Sequence, residues 1–165
     1  MQKFFLISLL SIVGFLLGCK DDGIRLEEGV GESTEESTGE SWLTDFEAAK
    51  AKAVAEQKPL LLDFTGSDWC GWCIKLDEEV FSQDAFKEYA NGSLILVELD
   101  FPKRKEQSTE LKAQNKALAE KYGIRGFPTI LVLSPEGELI EKTGYQRGGA
   151  EAYVKHIQEI LASAK

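Results

Sequence analysis

At 165 residues with 43% apolar side chains, the chain has room for one domain of ordinary size and enough apolar surface to give it a core. Its formal charge of −9 and pI near 4.8 argue against a nucleic-acid partner, because phosphate recognition needs clustered Lys and Arg. Acidity of this size bears on solubility and does not specify an activity.

The chain opens with Lys3 and a nearly unbroken apolar run from Phe4 to Leu17, and no acidic residue occurs before Asp21. A run of about fourteen residues is short for a bilayer span and fits the apolar region of a secretory signal, so residues 1–18 are expected to be an export signal outside the fold. Leu16-Leu17-Gly18-Cys19 resembles the lipobox of bacterial lipoproteins, in which the signal is cut before the cysteine and that cysteine is acylated. The resemblance implies lipidation at Cys19 and a place in a bacterial cell envelope, anchored to the membrane on the periplasmic side or at the cell surface. Several acyl chains make such attachment stable where a single chain is marginal. The competing readings are an ordinary signal cut elsewhere and an uncleaved anchor. Residues 19–41 are acidic, rich in Gly, Ser and Thr and without aromatics, which predicts a disordered tether. As a flexible coil it would reach about 25 Å.

From Trp42 onward regular apolar periodicity sets in, and residues 42–165 are expected to form the domain. A first helix, capped by Thr44 or Ser41, carries Phe46, Ala49, Ala53 and Val54 at helical spacing and stops at Lys58-Pro59. Leu60 to Phe64 reads as a buried strand broken only by Asp63. After Trp69-Cys70-Gly71-Trp72-Cys73 comes a helix marked by Ile74, Leu76, Val80 and Phe81. It is expected to resume after a break over Ser82 to Ala90, with Asn91-Gly92 as its stop. Leu94 to Leu99 is a second strand, residues 100–107 a polar loop holding Lys103-Arg104-Lys105, and Ser108 to Tyr122 a helix ended by Gly123. Thr129 to Leu133 and Glu138 to Thr143 form a hairpin around Ser134-Pro135-Glu136-Gly137, and Gly149 to Ala162 is the last helix. The order is α-β-α-β-α-β-β-α.

Two thiols spaced Cys-x-x-Cys on a strand-to-helix turn read as a redox pair. A helix N-terminus leaves backbone N–H groups unpaired and carries partial positive charge, so a cysteine placed there has its thiolate stabilised. Cys70 is thus the expected attacking thiol. Cys73, one turn further in, displaces whatever Cys70 has captured and closes an intramolecular disulfide. Half of a zinc site, a purely structural disulfide and a Cys-His protease are the other readings of the motif. Zinc needs at least three protein ligands, and the remaining candidates, Cys19 and the single histidine His156, are far away in sequence. His156 reads as a surface or core-edge residue of the last helix, and no metal site is expected.

The element order, with Cys-x-x-Cys opening the helix after the first strand of the domain, resembles the thioredoxin family. The resemblance rests on Leu62-Asp63-Phe64, on Trp69 to Cys73, and on Tyr122-Gly123-Ile124-Arg125-Gly126-Phe127-Pro128-Thr129, in the family's order across residues 42–165. It implies an α/β thioredoxin fold, a central mixed β-sheet flanked by helices. It also implies that Pro128 is a cis-proline facing the redox cysteines, so that the backbone around Phe127 can pair with an extended substrate segment beside Cys70. Without the family, Phe127-Pro128 reads equally as a trans turn entering a strand. Asp63 matches the family's buried acid, which takes part in proton transfer with the resolving thiol. On physical grounds alone, a carboxylate inside an apolar strand has its pKa raised by desolvation, unless it sits at the strand edge. Trp69 is expected to pack on the active-site loop and Trp72 to be the more exposed, and with Phe127 and Pro128 they are the expected substrate contacts.

Three features depart from the family pattern. Thr65-Gly66-Ser67-Asp68 is one residue longer than the usual spacing before the motif, Trp72 replaces the motif's proline, and Glu98 stands where the family has a lysine paired with the buried acid. Lys103-Arg104-Lys105 reads as a solvated loop in preference to a docking patch for an acidic partner. The resulting expectation is an exported, membrane-anchored thiol-disulfide oxidoreductase that reduces or isomerises protein disulfides. It needs no cofactor of its own and is supplied with electrons by a membrane thiol-disulfide interchange partner. The alternatives are a disulfide-donating oxidase and a carrier that holds Cu(I) between Cys70 and Cys73.

Overall fold

A computed structural model describes residues 42–164. The expected export signal, tether and Cys19 lie outside the described residues.

The fold grows from Leu60–Thr65, six residues that are all buried. A run this apolar suits a strand covered on both faces. This strand, β1, is an inner member of a four-stranded sheet of order β2-β1-β3-β4. On one side β2 (Ile95–Asp100) runs parallel to it, with Asp63 opposite Glu98 and Thr65 opposite Asp100. On the other, β3 (Thr129–Leu133) runs antiparallel, with Phe64 opposite Thr129, and β4 (Leu139–Thr143) completes the hairpin. The central mixed sheet implied by the thioredoxin resemblance is the observed one.

Alternation along the strands divides the core in two. Leu60, Leu62 and Phe64 pack with Phe46, Ala49 and Ala53 of α1 (Phe46–Glu56) and Leu118 of α4 (Thr109–Lys121). Leu61 points the other way, joining Leu96, Ile130 and Val132 beneath Phe86 of α3 (Asp84–Ser93) and Tyr153 and Ile157 of α5 (Gly149–Ser163). Asp63, two residues after Leu61, shares that second face. Over it lie α2 (Gly71–Leu76) and the π-helical turn Asp77–Phe81 that continues it.

Local differences from the sequence reading have tertiary causes. The cap of α1 is Asp45, whose Oδ1 accepts the Ala48 N–H at 3.0 Å, and not Thr44; Ser41, the other expected cap, lies outside the described residues. The Thr44 carbonyl accepts from Gln114 Nε2 at 2.8 Å, which ties the entry of α1 to α4. Helix α3 runs through Asn91-Gly92 to Ser93, because the next residue, Leu94, is drawn fully into the core. Val54 is 46% exposed, since α1 buries only the narrow stripe Phe46, Ala49 and Ala53. Ahead of α1, Leu43 makes a parallel bridge to β2, its N–H reaching Leu96 O at 3.0 Å and its carbonyl accepting from Glu98 N at 2.8 Å. His156 rests against the sheet, its Nε2 2.9 Å from Thr143 Oγ1.

Phe86 is fully buried between Phe81, at 4.9 Å between ring centroids, and Tyr153, at 6.4 Å. Phe86→Ala is expected to lower stability by about 3–5 kcal/mol in urea unfolding, with the transition staying cooperative.

Candidate active site

The chain leaves β1 at Thr65 and turns on the Gly66 carbonyl, which accepts the N–H groups of Trp69 at 3.1 Å and Cys70 at 2.8 Å. Cys70 caps α2 with extended backbone, and its Sγ accepts the Cys73 N–H at 3.3 Å. Cys70 and Cys73 are joined as a disulfide, their Cα atoms 5.2 Å apart. When that bond is opened, the same amide and its neighbours in the first turn favour negative charge on Cys70.

The long loop before the motif is fastened to the segment after β2. Ser67 donates from N and Oγ to the Asp100 carboxylate at 2.9 and 2.6 Å. Asp68 accepts the backbone N–H groups of Lys103, Arg104 and Lys105 at 3.0, 2.6 and 3.0 Å, which hold its carboxyl below the usual range. Ser67 and Asp68 of the lengthened loop therefore serve as anchors. Trp69 lies on the anchored loop, its Nε1 donating to Phe101 O at 2.8 Å and its ring meeting Phe127 edge-on at 5.9 Å. The indole rests on bare glycine backbone, for a Cβ at Gly66 would fall 2.6 Å from Trp69 Cε2. The Phe127-Pro128 bond is cis, as the resemblance implies. Trp72 is 55% exposed against 36% for Trp69, and its ring leans on Tyr145 at 5.3 Å. Tyr145 in turn donates to Glu79 Oε2 at 2.6 Å.

Beneath the disulfide, Asp63 is 8% exposed and faces a cleft of about 330 Å³ that is also lined by Cys73, Asp77, Glu98 and Lys105. Among the described residues its Oδ1 has no hydrogen-bond partner. Burial pushes the Asp63 carboxyl well above the ordinary range, and the charges of Glu98, Asp77 and Asp100 push it further. Glu98 is raised as well, by burial first and then by Asp100 and Asp77, with Lys105 opposing. Where the family places a lysine, this chain places a second carboxyl, so among the described residues Asp63 is a buried acid with no ion-pair partner. Its site is the interior face of the sheet, not a strand edge.

Residues 46–160 match the family profile described as a thioredoxin-like domain. The chain belongs to that family. It is similar to a disulfide bond reductase, DsbH, from Chlamydia pneumoniae, 38% identical over 106 residues that make up 64% of each chain. It is also similar to a thiol:disulfide interchange protein, DsbD, of Yersinia pestis (strain Pestoides F), 28% identical over 116 residues, 68% of this chain and 18% of that one. A solved structure of a DsbH oxidoreductase superposes with a TM-score of 0.72 at 31% identity, covering 86% of this chain and 95% of that one. The chain spans just under two thirds of the curated reductase and under a fifth of the interchange protein.

Among these thioredoxin-like features, Asp68, Gly66, Asp77 and the Tyr145–Glu79 pair escaped the sequence reading. Only the lengthened loop signalled any of them. The buried acid has a measurable signature. The unfolded chain ionises Asp63 near pH 3.9 and the folded chain only at higher pH, so the folded state holds the extra proton between those values. Its stability contribution is lost as pH rises from about 4 through the folded value, at no more than about 1.4 kcal/mol per pH unit. Asp63→Asn is therefore expected to be more stable than the parent at pH 7–8 and to lose that slope, as read by urea midpoints across pH.

Proposed function

We propose that this thioredoxin-like protein reduces or isomerises disulfides in partner proteins, working from a lipid anchor outside the cytoplasm. One observation carries the reading: a disulfide whose Cys70 sulfur is served by a helix amide while Cys73 stands over a buried acid.

In the forward direction, the Cys70 thiolate attacks one sulfur of a substrate disulfide, forming a mixed disulfide and releasing the first substrate thiolate. Asp63, a stronger base than an ordinary carboxylate, takes the Cys73 proton. The Cys73 thiolate attacks Cys70 Sγ, the second substrate thiolate leaves, and the Cys70–Cys73 disulfide remains. Two electrons have passed to the substrate, and a dithiol donor must return them. Trp69, Trp72, Phe127 and Pro128 are the residues proposed to supply the contact surface for the substrate segment beside Cys70. A thiol:disulfide interchange protein of the DsbD kind is the proposed donor, by similarity.

The acids support reduction over oxidation. A strong oxidant owes its potential to a stabilised reduced form. Asp63, Asp77 and Glu98 around Cys73 disfavour a second thiolate and so favour the disulfide form of this protein, which is what a reductant needs. The likeness to a protein named disulfide bond reductase points the same way.

Equilibration of the domain with glutathione or dithiothreitol buffers tests the direction: a potential near about −270 mV is expected, and one near about −120 mV would make the protein a disulfide donor. In the same series, Cys73→Ser should accumulate the mixed disulfide with a substrate peptide, and Cys70→Ser should form none. For the anchor, growth with an alkyne-tagged fatty acid is expected to label the full chain, and Cys19→Ala to abolish the label. Label retained in the Cys19→Ala variant would remove the lipid anchor from the proposal.

A further inference from the structure

Two indoles bracket Cys70, and each carries an ammonium group. Lys103 Nζ lies 3.7 Å above the Trp69 ring, and Lys75 Nζ lies 5.3 Å from the Trp72 ring and 5.5 Å from that of Tyr145. Lys75 is shared with Glu79, 3.6 Å away. The excess of positive charge therefore gathers on the Trp69 side, at Lys103-Arg104-Lys105. All three are exposed, and among the described residues none is ion-paired with a carboxylate side chain. Asp68 is close, but its oxygens are occupied by the backbone N–H groups of these same residues. Asp100, at the end of β2, and Glu106 flank the run and Lys105 shares the acidic cleft with Glu98, so Lys103 and Arg104 are the cations presented at the outer rim.

A basic run that merely solvates a loop has no reason to be fixed. This one is fixed twice, by Asp68 through its backbone and by Trp69 beneath Lys103, and Lys105 Nζ also donates to Ser67 Oγ at 3.1 Å. The charge is held at the rim of the disulfide in a chain whose net charge is −9. An ammonium over an aromatic face stays ionised and can still meet a carboxylate on its other side.

We propose that this rim is a docking surface for substrate segments whose disulfide is flanked by acidic residues. Lys103 and Arg104 receive the carboxylates, while Trp69 and Trp72 cover the apolar atoms beside the bond. The inference rests on the oxidoreductase reading above and adds the class of substrate. The acidic chain repels an acidic partner at a distance, and the patch reverses that only within a Debye length of about 8 Å, so it selects for carboxylates placed next to the attacked sulfur. If the cations served only to favour the Cys70 thiolate, every substrate would gain equally.

The test uses the pre-reduced full chain in single turnover with three disulfide-cyclised peptides that differ only in flanking Glu, Gln or Lys. The Glu peptide is expected to react about tenfold faster than the Lys peptide at about 0.15 M salt, where the Debye length is about 8 Å, the lower end of steering effects. The gap should close toward unity in about 0.5 M sodium chloride. Lys103→Gln combined with Arg104→Gln should collapse the ratio, and Lys103→Arg alone should keep it. Equal rates for the Glu and Lys peptides, with the Gln peptide still reduced, would overturn the docking surface and leave the oxidoreductase reading intact. If none of the three peptides is reduced, the oxidoreductase reading itself fails.

Discussion

Burial of β1 along its whole length is the constraint from which the site takes its form. With β2 and β3 on its edges and helices over both faces, each side chain of Leu60–Thr65 must go inward. Five of the six residues are suited to that. Asp63 is not, and its position is dictated by the pleat, which turns it toward α2 and the π-helical turn. The strand that delivers the chain to the cysteine turn thereby also delivers an acid to the underside of Cys73. Register completes the arrangement, because the parallel neighbour of Asp63 is Glu98 and a carboxyl there adds repulsion to desolvation.

The two sulfurs consequently sit in opposite electrostatic surroundings. Cys70 receives a helix amide and lies next to an indole topped by Lys103. Cys73 faces Asp63, Asp77 and Glu98. In the proposed cycle this asymmetry orders the events, since one thiol ionises readily and the other does so only when a base takes its proton. The chain achieves it with short-range means, a six-residue helix and three carboxyls on adjacent elements.

Much of this was legible in the sequence because the signals were local. Strand β1, the Cys-x-x-Cys turn, the helix from about Ser108 to Gly123 and the hairpin after Thr129 all announce themselves within a few residues. The depth of Asp63 followed from its apolar neighbours. What escaped depended on partners far along the chain. Asp68 acts on amides 35 to 37 residues away, and Gln114 takes the carbonyl of Thr44 across a separation of 70. Tyr145 reaches Glu79 across 66. Asn91-Gly92 looked like a stop because local propensity favours one there, and the burial of Leu94 outweighed it. The π-helical turn left no trace in the periodicity of Val80 and Phe81, both of which are buried as a plain helix would have them.

The bridge between Leu43 and Val97 bears on how this fold behaves in a crowd. An open sheet has two margins at which a stranger's backbone can dock, and long exposed margins invite fibrillar stacking. Here the β2 margin is occupied by the chain's own entry segment, with Leu43 exchanging two hydrogen bonds there. The β4 margin is five residues long, interrupted by a register shift in its partner strand and marked by exposed Glu141 and Lys142, the latter tied back to Tyr122 O at 2.6 Å. Charge and shortness are the usual guards of such a margin. A sheet guarded at both margins in this way offers little backbone to which a partner's unpaired strand could adhere.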